Sequence, residues 1–193
     1  MPPVTIRPLS AVLLDLPNTI RDPEFKKNVG NPWFLKHVSQ YLYTKWDDPT
    51  TIDIVRNVRN EVMVLQKDPK YKDIPLVAEV TSSKSSVISS IEASSRYLCN
   101  KNMKQDPRGL ERLKSAVWRD GFRNKTFTVP IYPDFITAAA NWKRSKILVF
   151  GTTDTTADEQ KIYLGNTDAG KITKVFDFIT GGDGQNPVML EKE

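Results

Sequence analysis

The 193-residue sequence predicts an α/β fold in which a partial parallel sheet is interrupted by an all-helical insertion. Two short apolar runs, "AVLLD" at 11–15 and "KILVF" at 146–150, have the uniform hydrophobicity of parallel strands covered on both faces. Between them the apolar residues recur at helical intervals. After the second run the pattern is a helix and then a third apolar run, "KVFDFIT" at 174–180.

The order of elements follows from these patterns. Phe34, Val38, Leu42 and Trp46 repeat every fourth residue, after a break at Asn31-Pro32. Ile54, Val58, Val62 and Leu65 form a second stripe, with Thr50 or Thr51 as the expected cap. A serine-rich stretch keeps an apolar period through Val87, Ile91, Tyr97 and Leu98, so it reads as a helix rather than a linker. Leu110, Leu113, Val117 and Trp118 mark the next helix, with Asp106-Pro107 as its start signal. "IYPDFITAAANWKRS" gives another, and a last helix is expected over about residues 156–164. The divisions are residues 1–22 for the first core strand and its motif loop, 23–130 for the helical cap, 131–180 for the rest of the core, and 181–193 for an irregular tail.

Composition narrows the function classes. Hydrophobic residues at 39% and charged residues at 26% are ordinary for a folded chain. No apolar stretch approaches the roughly 20 residues that span a bilayer, and "MPPVTIRPLS" lacks the apolar centre of a signal peptide. The expected compartment is the cytoplasm, or the nucleus, with no membrane partner. The single cysteine, Cys99, rules out an internal disulfide, and the lone His37 is expected on a helix surface. The net charge is +5, but acids are interspersed among the lysines and arginines, as in "RDPEFKK", so nucleic acid is not expected as a partner.

Two stretches invite a chemical reading. "GNTDAGKI" at 165–172 nearly spells a phosphate-binding loop, but it follows a predicted helix rather than a strand, and Ile172 replaces the metal-binding hydroxyl. It is rejected. Asp15 closes the first strand, where doubly wound sheets place their chemistry, and a carboxylate there can attack phosphorus or bind magnesium. The plainer alternative is that Asp15 caps the following turn. Thr153 puts a hydroxyl at the end of the second strand, within reach of the same phosphate.

These residues resemble the enolase-phosphatases (acireductone synthases) of the haloacid dehalogenase superfamily. The first motif of that family reads D-I-E-G-T, and "LLDLPNT" keeps Asp15 and Thr19. Its cap signature L-x-x-x-x-W-x-x-x-F is matched by Leu113, Trp118 and Phe122. "EQKIYLG" is similar to A-Q-K-L-L-F-G, and "VFDFIT" to the family's G-x-F-D strand. The resemblance runs from about residue 11 to residue 180. It implies a haloacid dehalogenase-like, Rossmann-like sheet with an inserted helical cap, and Asp15 as both nucleophile and magnesium ligand. It also places Thr153 and Asp154 against the phosphate of a phosphorylated small molecule.

The departures from the family pattern are chemical. The family's acid/base glutamate stands two places after the aspartate, where this chain has Pro17. Proline can neither donate nor accept that proton, and losing a positioned acid/base costs about 100- to 10,000-fold in rate. Asp154 brings a carboxylate beside a dianionic phosphate, which weakens binding. The family's lysine aligns near Asp183, and its acidic magnesium-binding pair has no counterpart before Glu193. The expectation is an enolase-phosphatase-like protein of methionine salvage with impaired catalysis and magnesium binding weak or lost. The alternative is a non-catalytic module that binds or regulates a protein partner. The superfamily strands that neighbour the first strand have no counterpart in this sequence, so a second copy, another protein, or the chain's own "PPVTIRPL" or C-terminal tail is expected to cover the edge of residues 11–15, unless the sequence is a piece of a longer chain.

Overall fold

The computed structural model describes residues 9–101, 103, 106–153, 157–181 and 188–189. In chain order the sheet and helix elements begin with β1 (Ala11–Asp15), the one-turn α1 (Leu16–Thr19), and a π-helical turn, Lys26–Gly30, that leads into α2 (Asn31–Thr44). Next come α3 (Pro49–Leu65), α4 (Lys84–Asn100), α5 (Arg108–Arg123) and α6 (Pro133–Arg144). β2 (Leu148–Thr152), α7 (Ala157–Gly165), β3 (Phe178–Thr180) and β4 (Val188–Met189) complete the chain. The chain divides into a sheet unit, residues up to Phe25 and from Thr128 onward, and a helical unit, Lys26–Phe127. β4 lies in the stretch expected to be irregular.

In the sheet unit the strand order is β1-β2-β3-β4. The first three are parallel, and β4 runs antiparallel to β3. β1 and β2 pair in register from Ala11↔Leu148 to Asp15↔Thr152. One sheet face is buried through Leu14, Val149, Gly151 and Ile179. The other is open: Leu13 is 66% exposed and Leu148 46%. The expectation that β1 is covered on both faces is therefore corrected. The physical reason lies in the topology. Both crossovers step in the same direction along the sheet, and the right-handed rule sends their helices, α6 and α7, to one face.

In the helical unit the predicted stripes are the core. Phe34, Val38 and Leu42 of α2 are fully buried, as are Ile91 of α4 and Leu113 of α5. Trp46 does not extend the α2 stripe, because the helix ends at Thr44. The Asn31-Pro32 break is a junction: Pro32 sits in the first turn of α2, directly after the wider π turn. A proline ring clashes with the carbonyl four residues back, and the wider turn relieves that clash. In the serine-rich α4 two hydroxyls bond back to the helix, Ser90 Oγ donating to Val87 O at 2.7 Å and Ser94 Oγ to Ser90 O at 2.9 Å.

Two caps differ from expectation. Asp48, rather than Thr50 or Thr51, caps α3, its carboxylate accepting the Thr50 N–H at 2.8 Å. Asp106 does not cap α5. Pro107 holds the cap position, and Glu61 of α3 accepts the Gly109 N–H at 2.7 Å. Asp106 is instead drawn to Lys114, which is 2% exposed and has its ammonium 2.6 Å from the carboxylate. A buried ammonium is far more costly to leave unpaired than a helix N-terminus. His37 is half-buried rather than on the surface, stacked on Trp33 at 4.0 Å, with Nδ1 2.7 Å from the Trp33 carbonyl oxygen.

Asp106→Ala should lower stability by about 3 kcal/mol, because it strands a buried ammonium, while adding Lys114→Met should restore most of the loss. Urea denaturation of the single and double variants checks this. Burial pushes the Tyr41 phenol and the Cys99 thiol above their ordinary values. The folded state thus favours their neutral forms, a contribution fully present below the unfolded values and lost as pH rises through the folded ones. The melting temperature should fall from about pH 8.5 upward, where free thiols begin to ionise. Cys99→Ala with Tyr41→Phe should flatten that decline in a pH series of thermal melts.

Candidate active site

The parallel register of β1 and β2 builds the site. Asp15 is paired with Thr152 at the carboxyl end of the sheet, and Thr153 follows immediately. Asp15 and Thr153, 138 positions apart in sequence, thus come from adjacent strand ends, as the sequence predicts. Asp15 is exposed. It occupies the N-cap position of α1, but its carboxylate makes no capping hydrogen bond, so the plainer reading of this residue is not realised. Pro17 lies in the first turn of α1, where its missing N–H costs the helix nothing.

Thr153 is less open than the sequence implies. It is 6% exposed, and its backbone N–H donates to Thr180 O at 3.2 Å. The neighbouring Thr152 hydroxyl donates to Leu14 O at 3.3 Å, which ties the two strand ends together. Asp154, expected beside the phosphate, and Asp183, at the lysine position, lie outside the described residues. Gly151 allows the close approach of α1: a Cβ there would lie 2.9 Å from Leu16 Cδ1, and Leu16 is fully buried.

Other motif residues hold structure rather than chemistry. Asp177 accepts the Val149 N–H at 2.9 Å and stands 3.3 Å from Lys143 Nζ, tying the approach to β3 onto β2 and α6. Phe176 stacks on Phe135 with ring centroids 6.0 Å apart. Leu113, Trp118 and Phe122, the cap signature, are all buried, and the Trp118 indole N–H donates to Gly30 O at 3.0 Å. The rejected phosphate loop follows α7 and forms a turn, with the Asp168 carboxylate accepting the Ile131 N–H at 3.0 Å.

Sequence reasoning missed Arg21. It is 5% exposed, with its guanidinium carbon 5.2 Å from the Phe25 ring centroid and 4.9 Å from that of Tyr163. The available signal was its position in "TIRDPEF", between the apolar Ile20 and Phe25.

A magnesium ion needs near-octahedral oxygen ligands, carboxylates among them. Among the described residues no three histidine, cysteine or acidic side chains gather for a metal. Asp15 is the one carboxylate of the expected set that lies among them. Among the described residues that donor set does not fit a protein-held magnesium ion.

No protein-family profile matches the chain. Individual proteins do. A probable bifunctional methylthioribulose-1-phosphate dehydratase/enolase-phosphatase E1 of Sorghum bicolor is 26% identical over 174 residues, 88% of this chain and 33% of the relative. Enolase-phosphatase E1 of Erwinia tasmaniensis is 23% identical over 87% of this chain and 64% of its own length. The Aquifex aeolicus enolase-phosphatase E1 is also 23% identical, over 87% of this chain and 66% of its own. This chain is similar in sequence to the enolase-phosphatases over most of its own length. Among solved structures, the UTR4 protein of Saccharomyces cerevisiae superposes with a TM-score of 0.62 at 20% identity, over 90% of this chain and 68% of UTR4.

The fold is thus haloacid dehalogenase-like, with a small parallel sheet and many helices. The chain spans a third of its Sorghum enolase-phosphatase relative and 64% of the Erwinia one. Among the described residues no helix is long and apolar enough to cross a membrane.

Gly151→Ala should destabilise the protein by about 1–3 kcal/mol, as overpacking against Leu16 does in a filled core. Leu16→Ala in the same background should relieve the clash, so the two effects should be non-additive in a double-mutant cycle by denaturant unfolding.

Proposed function

We propose that this chain is an enolase-phosphatase-like protein of methionine salvage that handles phosphate esters at Asp15 but turns them over slowly. The observation that carries the reading is the in-register pairing that sets Asp15 beside Thr152 and Thr153 at the carboxyl end of the sheet. The family resemblance of the sequence implies the substrate class, a diketo-methylthiopentyl phosphate, which agrees with relatives named enolase-phosphatase E1, and the reading goes with a cytoplasmic location.

In this mechanism an Asp15 carboxylate oxygen attacks phosphorus while the bond to the ester oxygen breaks, leaving an aspartyl phosphate that water later hydrolyses. The departing alkoxide must gain a proton. The side chain best placed to give one would stand at position 17, and proline carries none. Thr153 and the backbone around it would orient the phosphoryl oxygens.

A phosphate-release assay on a panel of small phosphate esters tests the reading. Wild-type turnover should be slow and lost in Asp15→Asn. Pro17→Glu should raise it by about 100-fold or more, by restoring a proton donor on an unchanged backbone. Rapid wild-type hydrolysis that Asp15→Asn abolishes would overturn the impairment. Failure of Pro17→Glu to gain activity would overturn the assigned roles.

A second reading is favoured by the open sheet face. Leu13 and Leu148 are exposed on the same face of the sheet, and among the described residues β1 pairs only with β2. Parallel sheets are ordinarily covered on both faces. We propose that a second copy or another protein covers this face and the edge of residues 11–15. Leu13→Lys should then shift the light-scattering mass toward the monomer or release the partner, whereas an unchanged assembly would exclude this surface.

A further inference from the structure

Among the described residues β1 is the edge of the sheet, and a free edge is a template for another strand. The ladder shows which of its backbone groups are free. The Leu148 N–H donates to Ser10 O at 3.0 Å, and in a parallel pair alternate residues bond to a given neighbour. Ser10, Val12 and Leu14 therefore face β2, while Ala11, Leu13 and Asp15 turn their N–H and C=O groups toward the open edge. Two leucines of this odd-numbered set are exposed, Leu13 at 66% and Leu9, just before the strand, at 58%. Residues 1–8, "MPPVTIRP", lie outside the described residues, and their sequence has the pattern of a partner for this edge. Prolines at 2, 3 and 8 bracket Val4-Thr5-Ile6-Arg7, a short run that alternates apolar with polar residues and begins with three β-branched ones.

We propose that the cover is a second copy of this chain, and that residues 3–15 of the two copies pair antiparallel about a two-fold axis at Leu9. This rests on the second reading above and names the element that makes the contact. In that register Leu9 meets the partner's Leu9, Thr5 meets the partner's Leu13, and Arg7 meets the partner's Ala11. The hydrogen-bonded positions are then the odd-numbered ones, the set whose N–H and C=O groups β1 leaves free. Pro8 has the opposite parity, where its missing N–H removes no bond, and Pro3 closes the pairing at a strand end, where proline is tolerated. Val4 and Ile6 fall beside the partner's Leu14 and Val12, on the face that is buried in the sheet unit, and Thr5 and Arg7 fall on the open face. Folding back within one chain lacks the turn it needs. A three-residue loop, Pro8-Leu9-Ser10, would close such a hairpin with a left-handed last residue. Among the described non-glycine residues only Lys125 and Lys146 have positive φ, so Ser10 does not supply it. The symmetric pairing between copies needs no turn, and it is closed, because one surface meets itself and β1 keeps no free edge.

Light scattering of the full chain at micromolar concentration should give twice the 21.9 kDa of one chain. Cys99 is the only cysteine, so Leu9→Cys in a Cys99→Ala background carries a single thiol. Mild oxidation should join two such chains by a disulfide, because Cα atoms of a hydrogen-bonded antiparallel pair lie about 5.5 Å apart, within the span of that bond. Leu148→Cys in the same background should not cross-link, since the two copies of β2 stand at least three strand spacings, about 14 Å, apart. Thr5→Pro removes an N–H that bonds the partner's Leu13 and should halve the mass. Deletion of residues 1–7 should do the same and serves as the second variant, with circular dichroism verifying the fold of both. A monomeric wild type overturns the proposal, as does a disulfide at Leu148→Cys without one at Leu9→Cys. A dimer that survives both Thr5→Pro and the deletion but is lost in Leu13→Lys also overturns it, and leaves the open face itself as the interface.

Discussion

The β1–β2 pairing is the constraint on which the sheet unit depends. It joins residues 11–15 to residues 148–152 across the whole helical unit in sequence, and every later strand is added to that pair. Because side chains alternate across a strand, a slip of one residue would send Leu14 and Val149 outward and take Asp15 away from Thr152. The buried face and the candidate site are therefore fixed by the same register. Thr152 reinforces it with a side-chain bond to Leu14 O, and Asp177 does so from the far side by holding the Val149 N–H. Such long-range pairing incurs the loop-closure entropy of the intervening chain.

The same topology explains the open sheet face. A parallel sheet normally buries both sides because its crossovers wind in both directions from a central strand. Here the order β1-β2-β3 steps one way only, and right-handed crossovers then stack their helices on one side. Leu13 and Leu148 are exposed by that geometry and not by any weakness of their own strands.

The helical stripes of α2 to α5 were legible because a 3.6-residue period is a property of each segment alone, and so were the strands' order along the chain and the placing of Asp15 and Thr153 at the ends of β1 and β2. What misled depended on distant partners. Asp106 has the sequence context of a helix cap, yet the buried Lys114 outcompetes the helix N-terminus for its carboxylate. Glu61 then serves the Gly109 N–H from another helix, and no local pattern announces it. "AVLLD" reads as a doubly covered strand because an apolar run records the strand's own hydrophobicity, not the number of layers around it. Arg21 was hidden for the converse reason, since the faces of Phe25 and Tyr163 that shelter it are far apart in sequence.

The motif residues shared with the enolase-phosphatases divide by what they do. Leu113, Trp118, Phe122, Phe176 and Asp177 pack or tie elements together, so their retention preserves a fold whatever happens to the chemistry. Position 17 is different. It sits in the first turn of a one-turn helix, where a backbone N–H has no helical partner and a fixed φ suits the geometry, so the backbone accepts proline as readily as glutamate. Fold stability therefore exerts no pull on this residue, while the proposed proton transfer depends on it wholly. A chain can lose the acid/base at such a position and keep every strand, register and buried stripe. On the proposed reading, that decoupling would let the sheet unit keep Asp15 at the strand end beside a proline that carries no proton to give.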